Sequence, residues 1–303
     1  ILNRGSEVAI LAIGMTLVVS SSAGTDISVG SVMSLCASFC CMLVAGFGVS
    51  SVSSADEFAM PLVVGLIGAL LMGCLCGAFN GALVAYLNIQ PMVATLILWS
   101  AARAIGLLLC NNLIVYIRVP EFGVFGGYIG PVPTPIIIAA VCVAVTSGVL
   151  KKTAMGMYIQ SVGINERASR LVGLKSVKII WMAYAFCGLC AGIAGLVASS
   201  RIYSADANNI GLNMELDAIA AVALGGNSLG GGRFSLLGSV IGAYTIQALT
   251  TTLYAMSVPA DQIPVYKAIV VILIVAVQSE ELKKFRKRLA SRHSSKNVEG
   301  GVA

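Results

Sequence analysis

Nine apolar stretches divide this chain, near residues 8–22, 31–48, 61–87, 91–110, 134–150, 179–199, 214–225, 234–257 and 264–279. An apolar run of roughly 18 residues or more crosses the hydrocarbon of a bilayer as a helix. Only helices and closed barrels satisfy their own backbone groups in lipid, and most of these runs far exceed the ~9–11 residues of a barrel strand. The expected fold is therefore all-α, a polytopic transmembrane helical bundle. Composition agrees, with 58% hydrophobic and 11% charged residues against about 25% charged in soluble domains. That balance places the chain in the bilayer, and nucleic acid is not an expected partner.

Positive charge orients the bundle, because short cytoplasmic loops collect Lys and Arg. Of 19 basic residues, six lie in 151–178 (Lys151, Lys152, Arg167, Arg170, Lys175, Lys178) and seven in the tail (Lys283, Lys284, Arg286, Lys287, Arg288, Arg292, Lys296). Both regions are expected in the cytoplasm. Two cytoplasmic points are joined by an even number of crossings, so 214–225, too short to cross unaided, must be part of a span completed by the flanking LNMEL. Four spans then follow the loop and five precede it, which puts residue 1 outside; Asp56, Glu57, Glu121, Asp206 and Asp261 fall in exterior loops, in agreement. An exterior start at Ile1 with no signal peptide implies a missing upstream helix. About nine spans are present and ten expected, as two five-span halves around a cytoplasmic loop. The organisation is one transmembrane domain over 1–303, with that loop at 151–178 and a basic cytoplasmic tail at 280–303 that either rests on anionic headgroups or is a disordered end.

The nine cysteines all lie in apolar segments, and the only histidine, His293, lies in the tail. The C-x-x-C pair Cys187 and Cys190 would raise a redox or metal question in a soluble fold; inside a span it reads as packing. No metal site, no cofactor and no catalytic residue is expected. Asp26 between the first two runs is a helix cap or a functional site, since ionisable groups at membrane depth are costly. Glu215 and Asp217, placed on the exterior side of their short segment, either cap it or meet a polar solute. Asn80 bridges helices or lines a path. The stretch GGNSLGGGR has the outline of a phosphate loop from Gly225 to Gly230 but lacks its lysine and its Ser or Thr. Gly225, Gly226, Gly231 and Gly232 therefore read as a tight, flexible turn beside Arg233, and ATP hydrolysis is not expected of this chain.

One polar stretch interrupts the oil. Between Gly156 and Gly173 the sequence MYIQSVGINERASRLV reads as a short helix with apolar residues Ile159, Val162, Ile164, Leu171 and Val172 on one face. Such a helix lies flat on a membrane or docks into a partner's groove. Its place between the two halves, and the small residues Gly163, Ala168, Ser169 and Gly173, favour docking.

Within it, GINERASRLVG resembles the cytoplasmic motif G-x-N-x-x-A-A-x-x-x-G of the permease subunits of bacterial monosaccharide ABC importers, the ribose, galactose and galactofuranose group. Gly163, Asn165, Ala168 and Gly173 match, and Ser169 stands for the second alanine. GTDISVGS is similar to the family's G-x-D-[IL]-S-x-G, through Asp26, Ser28 and Gly30. GAFNGALVAYLNIQPMVATL resembles another of its motifs through Asn80, Gly81 and Pro91. ELDAIAAVALGGNSLGGGRF resembles a fourth through Glu215, Leu216, Ile219, Gly225, Gly226, Ser228, Gly231 and Gly232, and SADANNIGLNMELDA most resembles the galactofuranose-type branch.

The resemblance implies a permease subunit of the bacterial inner membrane. Its partners would be a separate ABC ATPase, an extracytoplasmic sugar-binding protein and a second permease copy, identical or paralogous. The ATPase contact would involve Gly163, Asn165, Glu166, Ala168, Ser169 and Gly173; Asp26, Ser28, Asn80, Glu215 and Asp217 are candidates for the translocation path. The alternative is an ion-driven secondary transporter of a small polar solute, disfavoured because such proteins place acids at discontinuous helices in mid-membrane and the acids here fall near segment ends.

Overall fold

The computed structural model describes residues 1–46, 54–55 and 59–278, so the basic tail and His293 lie outside the described residues. Among the described residues, six helices are long and apolar enough to cross a bilayer: α1 (Leu2–Ser22), α3 (Leu62–Ala85), α4 (Pro91–Leu109), α5 (Thr134–Lys152), α8 (Ser176–Ile202) and α10 (Leu236–Ala255). Three more apolar helices are shorter, namely α2 (Val29–Ala45), α9 (Met214–Leu224) and α11 (Ile263–Gln278). The chain is thus the expected helical bundle. It forms two compact units, Ile1–Ala248 and Leu249–Ala303, the second containing α11.

Within the first unit α1 is enclosed. Every residue from Gly5 to Ser21 is buried, and the helix packs against α8, α5, α9 and α6. Its sequence permits this because small and hydroxyl-bearing residues recur round the helix. Thr16 bonds Ser239 of α10 across 2.6 Å, and at Gly14 an added Cβ would lie 2.9 Å from the Cα of Cys187. Cys187 and Cys190 are buried free thiols in that contact, as packing requires. At one end of α1, the buried carboxylate of Glu7 accepts from the guanidinium of Arg201 at the end of α8.

The two halves on either side of the polar loop do not pack as separate bundles. α8, which follows the polar loop, packs most extensively on α3 and then on α1 and α2, all of which precede it. Glycine spacing is the reason. Gly73, Gly77 and Gly81 recur at four-residue intervals on α3 and meet Gly188, Tyr184 and Trp181 on α8; a Cβ on Gly77 would lie 2.3 Å from the Tyr184 carbonyl oxygen, and one on Gly188 2.1 Å from that of Gly73. Small residues at this spacing let backbones touch inside a membrane. The chain therefore interleaves its halves in one core.

Short strands close the end of the bundle where Glu7 and Arg201 sit. β1 (Ser54–Ala55) pairs in parallel with β2 (Val115–Ile117), which pairs antiparallel with β5 (Ser204–Ala205). A hairpin of β3 (Tyr128–Ile129) and β4 (Val132–Pro133) turns through Gly130 at φ +63°. The opposite end carries the basic loop, which is two helices and not one. α6 (Met155–Ile164) stops at Asn165, whose extended backbone (φ −156°, ψ 100°) starts α7 (Glu166–Leu171) in a new direction.

The segment at 214–225 needs correction too. Of LNMEL only Met214, Glu215 and Leu216 are helical, because Gly211 (φ +71°) and Asn213 (φ +60°) hold left-handed conformations that stop α9 at Met214. An 11-residue helix rises about 16 Å, half of the ~30 Å hydrocarbon. The rest of this pass is turns over 206–213. Non-helical backbone at membrane depth must find its bonds within the protein. Here Arg103 supplies them, donating from Nη1 to the carbonyls of Ala207 at 3.0 Å and Asn208 at 2.9 Å.

Candidate functional site

At the basic end three backbones converge. The Gly232 N–H donates to the Ser20 carbonyl at 3.0 Å, joining the turn after α9 to the end of α1. Gly163 of α6 lies against both; an added Cβ there would sit 1.7 Å from the Ser20 oxygen and 2.6 Å from the Gly232 nitrogen. Gly231 and Gly232 hold φ of +86° and +93°, a region open to glycine. The turn is pinned and not loose: Asn227 donates to the Val222 carbonyl at 3.0 Å and to Ser239 Oγ at 2.8 Å, while its Oδ1 accepts from Ser235 N–H at 2.6 Å. Gly225 meets Gly238 of α10 backbone to backbone.

Gly163 and Ser169 therefore face their own chain, the latter only 4% exposed. What the loop turns outward is Ile164, Leu171 and Val172, exposed to 68%, 90% and 78%, with Asn165, Ala168 and Gly173 also exposed. Asn165 caps α7 by accepting from Ala168 N–H at 3.0 Å. Glu166 accepts from Arg170 and, at 3.1 Å, from the Ser176 hydroxyl that opens α8. A cavity of about 360 Å³ lies behind this loop, lined in part by Ser22, Asn88, Gln90, Gly163 and Glu166.

The structure brings Asp26, Ser28 and Asn80 together. Asp26 Oδ1 accepts from the Ser28 N–H at 2.9 Å and from its hydroxyl at 2.6 Å, and Asn80 donates to Ser28 Oγ at 2.8 Å. All three are 1% exposed or less. They form a buried knot that ties the α1–α2 loop to α3.

Glu215 stands elsewhere, at the inner foot of the half-helix α9. Its Oε1 accepts from the Trp99 indole N–H at 3.2 Å, and Gly30 leaves room for its other oxygen, which a Cβ at that position would approach to 2.1 Å. Trp99 and Arg103 lie about 12 and 18 Å along α4 from Pro91. Glu215 thus stands beside the middle of α4; Asp217 lies two residues further along α9, about half a turn round the helix, and is half-buried. Trp99 and Arg103 were invisible to motif reading. An arginine inside the apolar run 91–110 was the signal that could have found them.

A family profile described as the permease component of branched-chain amino acid transport systems matches residues 1–278. The chain belongs to this family. It is 45% identical over 294 residues to the galactofuranose transporter permease YtfT of Escherichia coli K12, covering 96% of this chain and 82% of that relative. It is 36% identical over 286 residues to the ribose import permease RbsC of the same organism, covering 93% and 85%. The fructose import permease FruF of Bifidobacterium longum is 35% identical over 307 residues, covering 100% and 83%. No solved structure matches. The protein is a multi-pass transport component of the bacterial inner membrane and not an enzyme. These relatives do not favour the ion-driven alternative. The placement of acids does not argue against it, because Glu215 stands at the start of the short helix α9 beside the middle of α4.

Proposed function

We propose that this chain is the membrane-spanning permease subunit of an ATP-driven monosaccharide importer of the galactofuranose type. It would work with a separate ABC ATPase, an extracytoplasmic sugar-binding protein and a second permease copy. Supporting the sugar class are relatives named for galactofuranose, ribose and fructose. The observation that carries the coupling role is the two-sided basic loop. Its outer side offers an apolar ridge of Ile164, Leu171 and Val172 in cationic surroundings. Its inner side is joined to α1, to the turn of α9 and to the start of α8. An ATPase that grips the ridge from the cytoplasm would move these three elements together. Packed interfaces of this kind switch between discrete arrangements and do not deform continuously. Because the halves are interleaved, the switch is a displacement of α9 and α1 within one core and not a tilting of two bundles. Glu215 and Asp217 would line the path at the foot of α9, and the Asp26, Ser28 and Asn80 knot would hold its inner end.

Gly163→Asp would test packing and not partner contact, so the ridge is the better target. Leu171→Asp with Val172→Asp should leave the amount in the membrane unchanged while abolishing co-purification of the ATPase and cutting uptake roughly tenfold or more, as loss of an interface anchor does. Full ATPase capture by that variant would overturn the coupling role. A cysteine introduced at Asn165 should react only with reagents admitted to the cytoplasm.

A further inference from the structure

Arg103 occupies the middle of α4, and an ionisable group at that depth lies against a wet cavity or a partner. Its Nη1 holds the turns above α9, yet its Nε is buried with no hydrogen-bond partner among the described residues. The same is true of Oε2 of Glu215, itself 5% exposed. These opposite charges are joined by no ion pair. The half-buried indole of Trp99, one turn of α4 from Arg103, bonds the first oxygen of Glu215, and Ser100 and Asn213, neighbours in sequence of Trp99 and Glu215, are exposed. Two unsatisfied polar atoms of opposite character, an aromatic ring and neighbouring polar groups call for one kind of ligand. It must both donate and accept, carry no net charge and offer an apolar face. A cation would be repelled by Arg103, and an anion by Glu215. A monosaccharide meets every condition.

Resting on the importer reading above, we infer that Trp99, Arg103 and Glu215 form the sugar contact of the translocation path. The ring stacks on Trp99, and adjacent hydroxyls accept from Arg103 and donate to Glu215. Gly30 is the wall against which the carboxylate sits when no sugar is present.

The chain has two tryptophans, Trp99 and Trp181, and Trp181 donates to the Ala78 carbonyl at 3.0 Å within the α3–α8 crossing. In a Trp181→Phe background Trp99 is the sole tryptophan of this chain, and the difference from a matched Trp99→Phe, Trp181→Phe assembly isolates its emission from that of the other subunits. The assembled importer is titrated with D-galactose, D-ribose and D-fructose, and uptake of each is measured alongside. The transported sugar should change Trp99 emission, and Glu215→Gln should weaken that response roughly tenfold, the effect of losing a hydrogen bond to a charged group. Substitution at Trp99 separates stacking from scaffolding. If the ring stacks on sugar, Trp99→Phe keeps uptake within about threefold of the parent while Trp99→Leu loses roughly tenfold. If the indole only anchors Glu215 through its N–H, Phe and Leu fail alike, and the inference is overturned. An unchanged emission with a sugar that is transported also overturns it. Uptake of none of the sugars by the parent protein would instead remove the importer reading on which it rests.

Discussion

Two buried carboxylates in this protein meet opposite treatment. Asp26 is enclosed by groups that answer it, with the Ser28 N–H and hydroxyl both donating to one oxygen and Asn80 closing the ring. Glu215 holds Trp99 through one oxygen and leaves the other with no hydrogen bond. Donors that meet a buried carboxylate rigidify its surroundings, whereas an unsatisfied buried group costs about 1–3 kcal/mol; in the Asp26 knot the atom left without a partner is the amide oxygen of Asn80 and not the carboxylate. The first arrangement is what a fold keeps for itself. The second is what a fold keeps for something that arrives later.

The contrast can be broken by mutation, beginning with a calibration. Glu7→Ala strands the Arg201 guanidinium in its partly buried site, and removing one member of a buried pair costs about 3–5 kcal/mol. Thermal unfolding in mild detergent should show the largest loss of the set. Asp26→Leu leaves the Ser28 N–H and hydroxyl without their acceptor while Asn80 keeps its bond to Ser28 Oγ, so it should destabilise by about 1–3 kcal/mol and lower uptake only as far as it lowers the amount of folded protein. Glu215→Gln should do the reverse. The amide oxygen still accepts from Trp99, so unfolding should shift by less than about 1 kcal/mol while uptake collapses. Equal losses of stability at both positions would erase the distinction. At the small end, Arg170→Ala opens an exposed pair with Glu166 that contributes about 0.2–1 kcal/mol. Any large loss of uptake in that variant, at normal stability, would assign the pair to the link between the loop and α8.

What the sequence made legible follows the same division. Long apolar runs gave α3, α4, α5 and α11 within a few residues, because length and hydropathy alone decide them. Asp26, Ser28 and Asn80 were each singled out from the sequence, but their meeting was not, because it depends on how the α1–α2 loop packs on α3. The break at Asn165 was missed because its side chain caps α7, an outcome that helical periodicity across 156–173 conceals. α9 was overextended because the left-handed turns at Gly211 and Asn213 carry no hydropathy signal. The interleaving of α8 with α3 depends on which glycines face each other across more than a hundred residues of sequence. No count of spans contains that information.

The enclosure of α1 also bears on how the protein is made. Glu7 and the Arg201 that answers it are separated by 194 positions. When α1 leaves the ribosome, none of α5, α6, α8 or α9 that will cover it exists. Its serines, Thr16 and Glu7 must wait beside lipid or the insertion machinery until most of the chain has been synthesised. Maturation of the bundle is therefore a late collapse around an early helix, and shortening the chain before α8 should leave α1 exposed to whatever cellular system removes unfinished membrane proteins.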